Sequence, residues 1–101
     1  MCNILCYTPL MIRSFRSKAL KELFLEGKSH KIEQKLISRS LRRLDALEQA
    51  LCPEDMNIPG FNFHTLHGTP KRYSIHINGP WCITFEWRGK DSWAVDIEQY
   101  H

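Results

Sequence analysis

A chain of 101 residues is long enough for one domain with a modest core and too short for two. Its 43% hydrophobic and 25% charged residues are ordinary for a soluble globular protein. The net charge of +3 is unevenly placed: Met11 to Arg43 holds 10 Lys/Arg against 3 Asp/Glu, a local charge of +7, while Leu44 to His101 holds 4 against 8, or −4.

Cys2, Cys6, Cys52 and Cys82 are scattered and follow no export signal, so they read as free thiols in a reducing cytoplasm rather than as a disulfide framework. The opening segment, Met1 to Met11, is mildly apolar, lacks a basic region and a small-residue cleavage site, and is too short to span a bilayer. Residues 1–10 are expected to be an added N-terminal tail, and residues 11–101 a single domain.

Two helices are predicted next. Ser17 suits an N-cap, Ala19, Leu20, Leu23 and Phe24 supply one apolar face, and Gly27 suits the C-terminal cap. After Ser29, apolar positions recur at helical spacing through Ile32, Leu36, Ile37, Leu41, Leu44, Leu47 and Leu51, until Pro53 stops the run. The basic excess lies in the N-terminal half that holds these helices, at Arg13, Arg16, Lys18, Lys21, Lys28, Lys31, Lys35, Arg39, Arg42 and Arg43. Its plain reading is a solvated helix face; its functional reading is a surface for phosphate, because polyanions reward clustered cations through counterion release. Pro53 to Gly60, with two prolines and two acidic residues, is a connecting loop.

Beyond Gly60 the period changes to two. Tyr73, Ile75 and Ile77 alternate with Ser74 and His76, and Trp81, Ile83, Phe85 and Trp87 alternate with Cys82, Thr84 and Glu86. Asn78-Gly79 marks the turn between them, and Pro80 suggests a loop somewhat longer than the tightest hairpin. After the turn at Arg88 to Asp91, Trp93 to Glu98 forms the last strand. A meander of three antiparallel strands results, extended by Phe61 to Leu66 and by a short first strand around Ile12 to Phe15. The fold class is α+β, with two N-terminal helices packed on one face of a small antiparallel sheet. Its other face, carrying Ser74, His76, Cys82, Thr84 and Glu86, is expected to be wet and to receive a ligand.

The chemistry-bearing residues gather in the C-terminal third. Tyr100-His101 follows the last strand, and His64, His67 and His76 precede it; imidazole is the commonest group for moving protons near neutral pH. The spacing of His67, His76 and Cys82 fits no closed zinc site, so no metal is expected. Cys82 has no adjacent base in sequence and reads as a structural thiol.

The chain from Met11 onward resembles the HigB branch of the RelE/ParE toxin superfamily. The resemblance rests on Met11-Ile12-Arg13-Ser14-Phe15, His64-Thr65-Leu66-His67-Gly68, the strand pair Tyr73 to Asn78 and Trp81 to Phe85, and the terminal Tyr100-His101. It implies a RelE-like fold and a ribosome-dependent endonuclease that cuts messenger RNA and inhibits translation in the cytoplasm, with no metal or other cofactor and no membrane. The implied partners are a helix-turn-helix, HigA-like antitoxin, the ribosome with its messenger RNA, and operator DNA through the antitoxin complex. By matching positions, His64 and His101 are the acid-base pair, Tyr100 orients or stacks on the RNA, and Lys71 and Arg72 contact phosphate.

The departures from that pattern concern charge. Relatives usually carry lysine at His67, arginine near His76, arginine at Cys82 and aspartate at Gln99. A thiol at Cys82 cannot offer the bidentate fork of a guanidinium, although His67 and His76 could restore part of the charge when protonated. A weakened nuclease is the expectation. The alternative is a binding-only relative that engages an antitoxin or another target such as DNA gyrase.

Overall fold

The computed structural model describes residues 12–99; the expected N-terminal tail lies outside them. Helix α1 spans Lys18–Glu26 and α2 spans Gln34–Gln49. Four strands follow: β1 (His64–Leu66), β2 (Arg72–Asn78), β3 (Trp81–Arg88) and β4 (Asp91–Gln99), paired antiparallel in the order β1-β2-β3-β4. Among the described residues no helix is long and apolar enough to cross a membrane.

The caps of α1 are those read from the sequence. Ser17 Oγ accepts from the Leu20 amide at 3.1 Å, and Gly27 closes the helix at φ 78°, where a side chain would be strained. The second helix is shorter than its periodicity predicted. Ser29 Oγ takes the Lys31 amide in a local turn, so the helix begins only at Gln34. Ala50 is extended and Leu51 is 72% exposed, so the apolar period outran the helix at both ends. Pro53 then opens a short 3-10 turn, Pro53–Met56, and Asp55 accepts from the Leu51 amide at 2.8 Å.

The apolar faces meet as expected. Leu20 and Leu23 of α1 and Leu36, Leu44 and Leu47 of α2 bury themselves against Ile75, Ile77, Ile83, Phe85 and Val95 of the sheet. Each such side chain contributes roughly 1.5–3 kcal/mol of burial, so this layer dominates the fold's stability.

Two local features differ from expectation. The β2-β3 hairpin is tight: Asn78 pairs with Trp81 around Gly79-Pro80, and the irregularity falls instead in a register shift between His76 and Asn78. The first strand is reduced to two isolated parallel bridges, Ile12 to Ser92 and Phe15 to Val95. They meet β4 where its register with β3 shifts between Thr84 and Glu86. Ala94 sits in that bulge at φ 49°, with its amide held by Ser14 Oγ at 2.8 Å.

A left-handed alanine costs about 1–2 kcal/mol, and glycine there returns roughly 0.5–1 kcal/mol as chain entropy. Ala94→Gly is therefore expected to stabilise the protein by about 0.5 kcal/mol, seen as a small rise in thermal midpoint. A fall would mean that the alanine methyl contributes more by packing than the backbone loses by strain.

Candidate functional site

The sheet face away from the helices is mostly closed, contrary to expectation. Ser74, Cys82, Thr84 and Glu86 are 6, 5, 0 and 4% exposed. The reason is that long side chains from the same face fold over them. Arg72 donates to Glu86 at 3.2 Å, to Thr84 Oγ1 at 2.9 Å and to the Ala94 carbonyl at 2.9 Å. Thr84 in turn donates to the Glu98 carboxylate. The Arg88 guanidinium reaches Glu86 at 2.9 Å and lies 4.9 Å from the Trp93 ring centre.

Among the described residues this face opens toward the β2-β3 hairpin. The opening is a cavity of about 330 Å³ lined by Asn62, His64, Leu66, Ser74, His76, Gly79, Pro80 and Cys82. Strand pairing builds it: His64 of β1 stands opposite Ser74 of β2, and His76 of β2 opposite Cys82 of β3. β4 runs beside it, with Glu98 opposite Cys82 and Gln99 opposite Trp81. Asn62 and the hairpin residues Gly79 and Pro80 were not singled out from sequence as site residues. In the sequence Asn62 reads as part of the strand extension Phe61 to Leu66, and Gly79 and Pro80 as turn chemistry, which says nothing about which wall a turn completes.

His76 Nε2 lies 2.9 Å from the Gly79 carbonyl. A carbonyl only accepts, so Nε2 carries the hydrogen, and in the neutral ring Nδ1 is left as the acceptor. Burial, with Glu98 adding to it, pushes the Cys82 thiol up to about 12. It stays protonated and faces the Glu98 carbonyl oxygen at 3.6 Å, a structural rather than nucleophilic thiol.

The other residues singled out from the sequence divide. His67 is exposed in the loop after β1. The Lys71 ammonium lies 5.8 Å from the Tyr73 ring centre and does not line the cavity. Arg72 is held in the network with Glu86, and its Nε is buried with no hydrogen-bond partner among the described residues. Tyr100 and His101 lie outside the described residues. No group of three His, Cys, Asp or Glu among the described residues converges to hold a metal ion.

Residues 13–101 match the family described as RelE-like toxin of type II toxin-antitoxin system HigB. Endoribonuclease HigB of Proteus vulgaris is 33% identical over 92 residues, covering 90% of this chain and all of that relative. Fold and match together define a RelE-like toxin, a class whose members are paired with an antitoxin. Within that class, the chain belongs to the HigB-like toxin family.

The Glu86 cluster supports the closed half of this face. Its carboxylate is held below its ordinary value of 4.5, chiefly by the hydrogen bond from Arg88, with Arg88, Arg72 and Arg16 adding their charge against the effect of burial. Because the unfolded chain binds the extra proton more readily, the contribution is complete above pH 4.5 and is lost as pH falls through the folded value. Glu86→Gln should therefore be less stable than the parent at neutral pH, with the gap narrowing below pH 4.5 in urea titrations. A gap independent of pH would assign Glu86 a packing role alone.

Proposed function

We propose that this chain is an endoribonuclease, cutting messenger RNA on the ribosome without a metal and so inhibiting translation in the cytoplasm. The observation that supports this best is the cavity that places His64, His76 and Ser74 together at the open end of an otherwise closed sheet face. The name of the Proteus vulgaris relative points the same way.

Cleavage of this kind needs a base for the 2′-hydroxyl proton, an acid for the departing 5′-oxygen and positive charge for the phosphate. His64 is the proposed base. His101 is the proposed acid and Tyr100 the group that stacks on a nucleobase. The last described residue of β4, Gln99, pairs with Trp81 beside the cavity residue Cys82. His76 and His67 are the proposed phosphate contacts, and in the protonated ring Nδ1 of His76 becomes a donor as well. Arg72, tied to Glu86, would add field more than direct contact, as would Lys71 from its place against Tyr73.

The proposed partner is a helix-turn-helix, HigA-like antitoxin, through which operator DNA is reached. The neutral Cys82 favours a second reading, in which the chain binds its partner or another target without cutting RNA.

Induced expression separates the two readings. Growth arrest with messenger RNA cut inside codons on translating ribosomes is expected, and His64→Ala or His101→Ala should each lower cleavage by about 10²–10⁴. Arrest that persists undiminished in both variants, with intact messenger RNA, would establish the binding-only reading.

Cys82→Arg is expected to raise cleavage, since loss of a donor to the reacting phosphate typically lowers the rate about 10²–10³. Single-turnover rates that do not change would show that other groups already supply that charge.

A further inference from the structure

A second cavity lies on the helix side of His76. It is about 420 Å³ in volume and is walled by Arg39, Arg42 and Arg43 of α2, by Gly60 and Phe61 of the loop before β1, and by His76 and Ile77 of β2. Three arginines therefore line one space, and none of the described carboxylates lines it.

The lack of a facing carboxylate sets these three apart from the other arginines of the described residues. Arg13 pairs with Asp91, Lys35 with Glu33, and Arg16, Arg72 and Arg88 with Glu86. Among the described residues Arg39, Arg42 and Arg43 have no acidic partner.

The three divide the work. Arg43 is 6% exposed and spends its donors on carbonyls: Nε on His76 at 2.6 Å, Nη1 on Arg39 at 3.2 Å and Nη2 on Gly60 at 3.4 Å. Its charge remains unneutralised, and burial, then repulsion from Arg39 and Arg42, lowers its pKa. Arg39 is exposed and gives one Nη1 hydrogen bond to the Ile77 carbonyl at 3.2 Å, leaving Nε and Nη2 available. Arg42 is exposed, and its side chain makes no hydrogen bond among the described residues. An oxyanion entering the cavity would meet two free forks over a fixed third charge, the arrangement that guanidinium favours for phosphate.

We propose that Arg39 and Arg42, with Arg43 beneath them, hold a backbone phosphate of RNA outside the cavity of the proposed cleavage site. The ligand class rests on the function proposed above, and the geometry joins the two sites because His76 lines both cavities. A strand lying against His64 and Ser74 has a continuous path past His76 to the arginines. The same chemistry could be presented by the strand to be cut or by ribosomal RNA; the continuity through His76 favours the strand.

The test compares the parent with Arg39→Gln/Arg42→Gln, both exposed positions, and keeps Arg43 because it holds the hairpin. Two probes are used: a 2′-O-methyl single-stranded RNA that cannot be cut, followed by fluorescence anisotropy against salt, and programmed ribosomes, followed by co-sedimentation. Weaker oligonucleotide binding by about tenfold is expected. The slope of log affinity against log salt should fall by about 0.7, the value for one phosphate of a single strand that is no longer neutralised. Arg39→Lys/Arg42→Lys should recover most of that slope, since charge rather than shape sets it. Loss confined to the ribosome would still support an RNA phosphate and assign it to ribosomal RNA.

Unchanged binding to both probes by the glutamine variant would overturn the proposal. Weakened binding to the antitoxin in that case would mark the cluster as a protein contact, and unchanged antitoxin binding as a solvated helix face. A parent protein that binds neither probe would overturn the proposed function and this site with it, whereas parent binding with an indifferent variant overturns this site alone.

Discussion

The buried Arg43 guanidinium governs how the two layers of the molecule are joined at the functional end. It reaches from α2 to the carbonyls of His76 on β2 and Gly60 in the loop before β1, and stacks its plane 4.3 Å from the centre of the Phe61 ring. A buried cation without a carboxylate persists only if its donors are satisfied, and here carbonyl oxygens satisfy them. The carbonyls it uses belong to the irregular end of β2, where the register shifts between His76 and Asn78. Arg39 binds the next carbonyl, that of Ile77. Arg43 thus fixes the strand end that presents His76, and with it one wall of the histidine cavity, while Arg39 adds one bond from an exposed position.

The opposite face of the sheet is organised by a different electrostatic arrangement. Glu86 gathers Arg72, Arg88 and Arg16 around one carboxylate, and Arg72 lies across Thr84 and Glu86. This closes the half of the face nearest the β3-β4 turn. Among the described residues the half bounded by β1, the β2-β3 hairpin and Cys82 stays open. The arginines divide in the same way: Arg16, Arg72 and Arg88 gather on Glu86, while Arg39, Arg42 and Arg43, which have no acidic partner among the described residues, line the second cavity.

Membership of the HigB-like toxin family gives this geometry its context. The reacting groups proposed for an RNA-cutting relative are few, and in this chain they are imidazoles more than permanent cations. The thiol at Cys82 is neutral, buried and hydrogen-bonded to the strand beside it. Permanent positive charge near the cavity therefore comes from arginines reached around the edge of the sheet.

The sequence by itself determined the α+β class, both helices, the caps of α1 and the meander, because each depends on a local period or a local hydrogen bond. Ser17, Gly27 and the alternation from Tyr73 to Trp87 are of that kind. Element ends were less legible: Ile32 and Leu51 continue the helical period of α2 but stand outside the helix, since a nearby Ser29 turn and an extended Ala50 override it. Alternation also placed Ser74, His76, Cys82, Thr84 and Glu86 on one face correctly, yet it could not reveal which of them stay open. Exposure there is decided by Arg72 and Arg88 folding over their neighbours, contacts made across strands rather than along the chain. The role of Arg43 is likewise invisible in sequence, where it is one more cation on a basic helix. Only the tertiary structure shows it buried among carbonyls 17 and 33 residues away, because a charge's partners depend on chain crossings that no local pattern records.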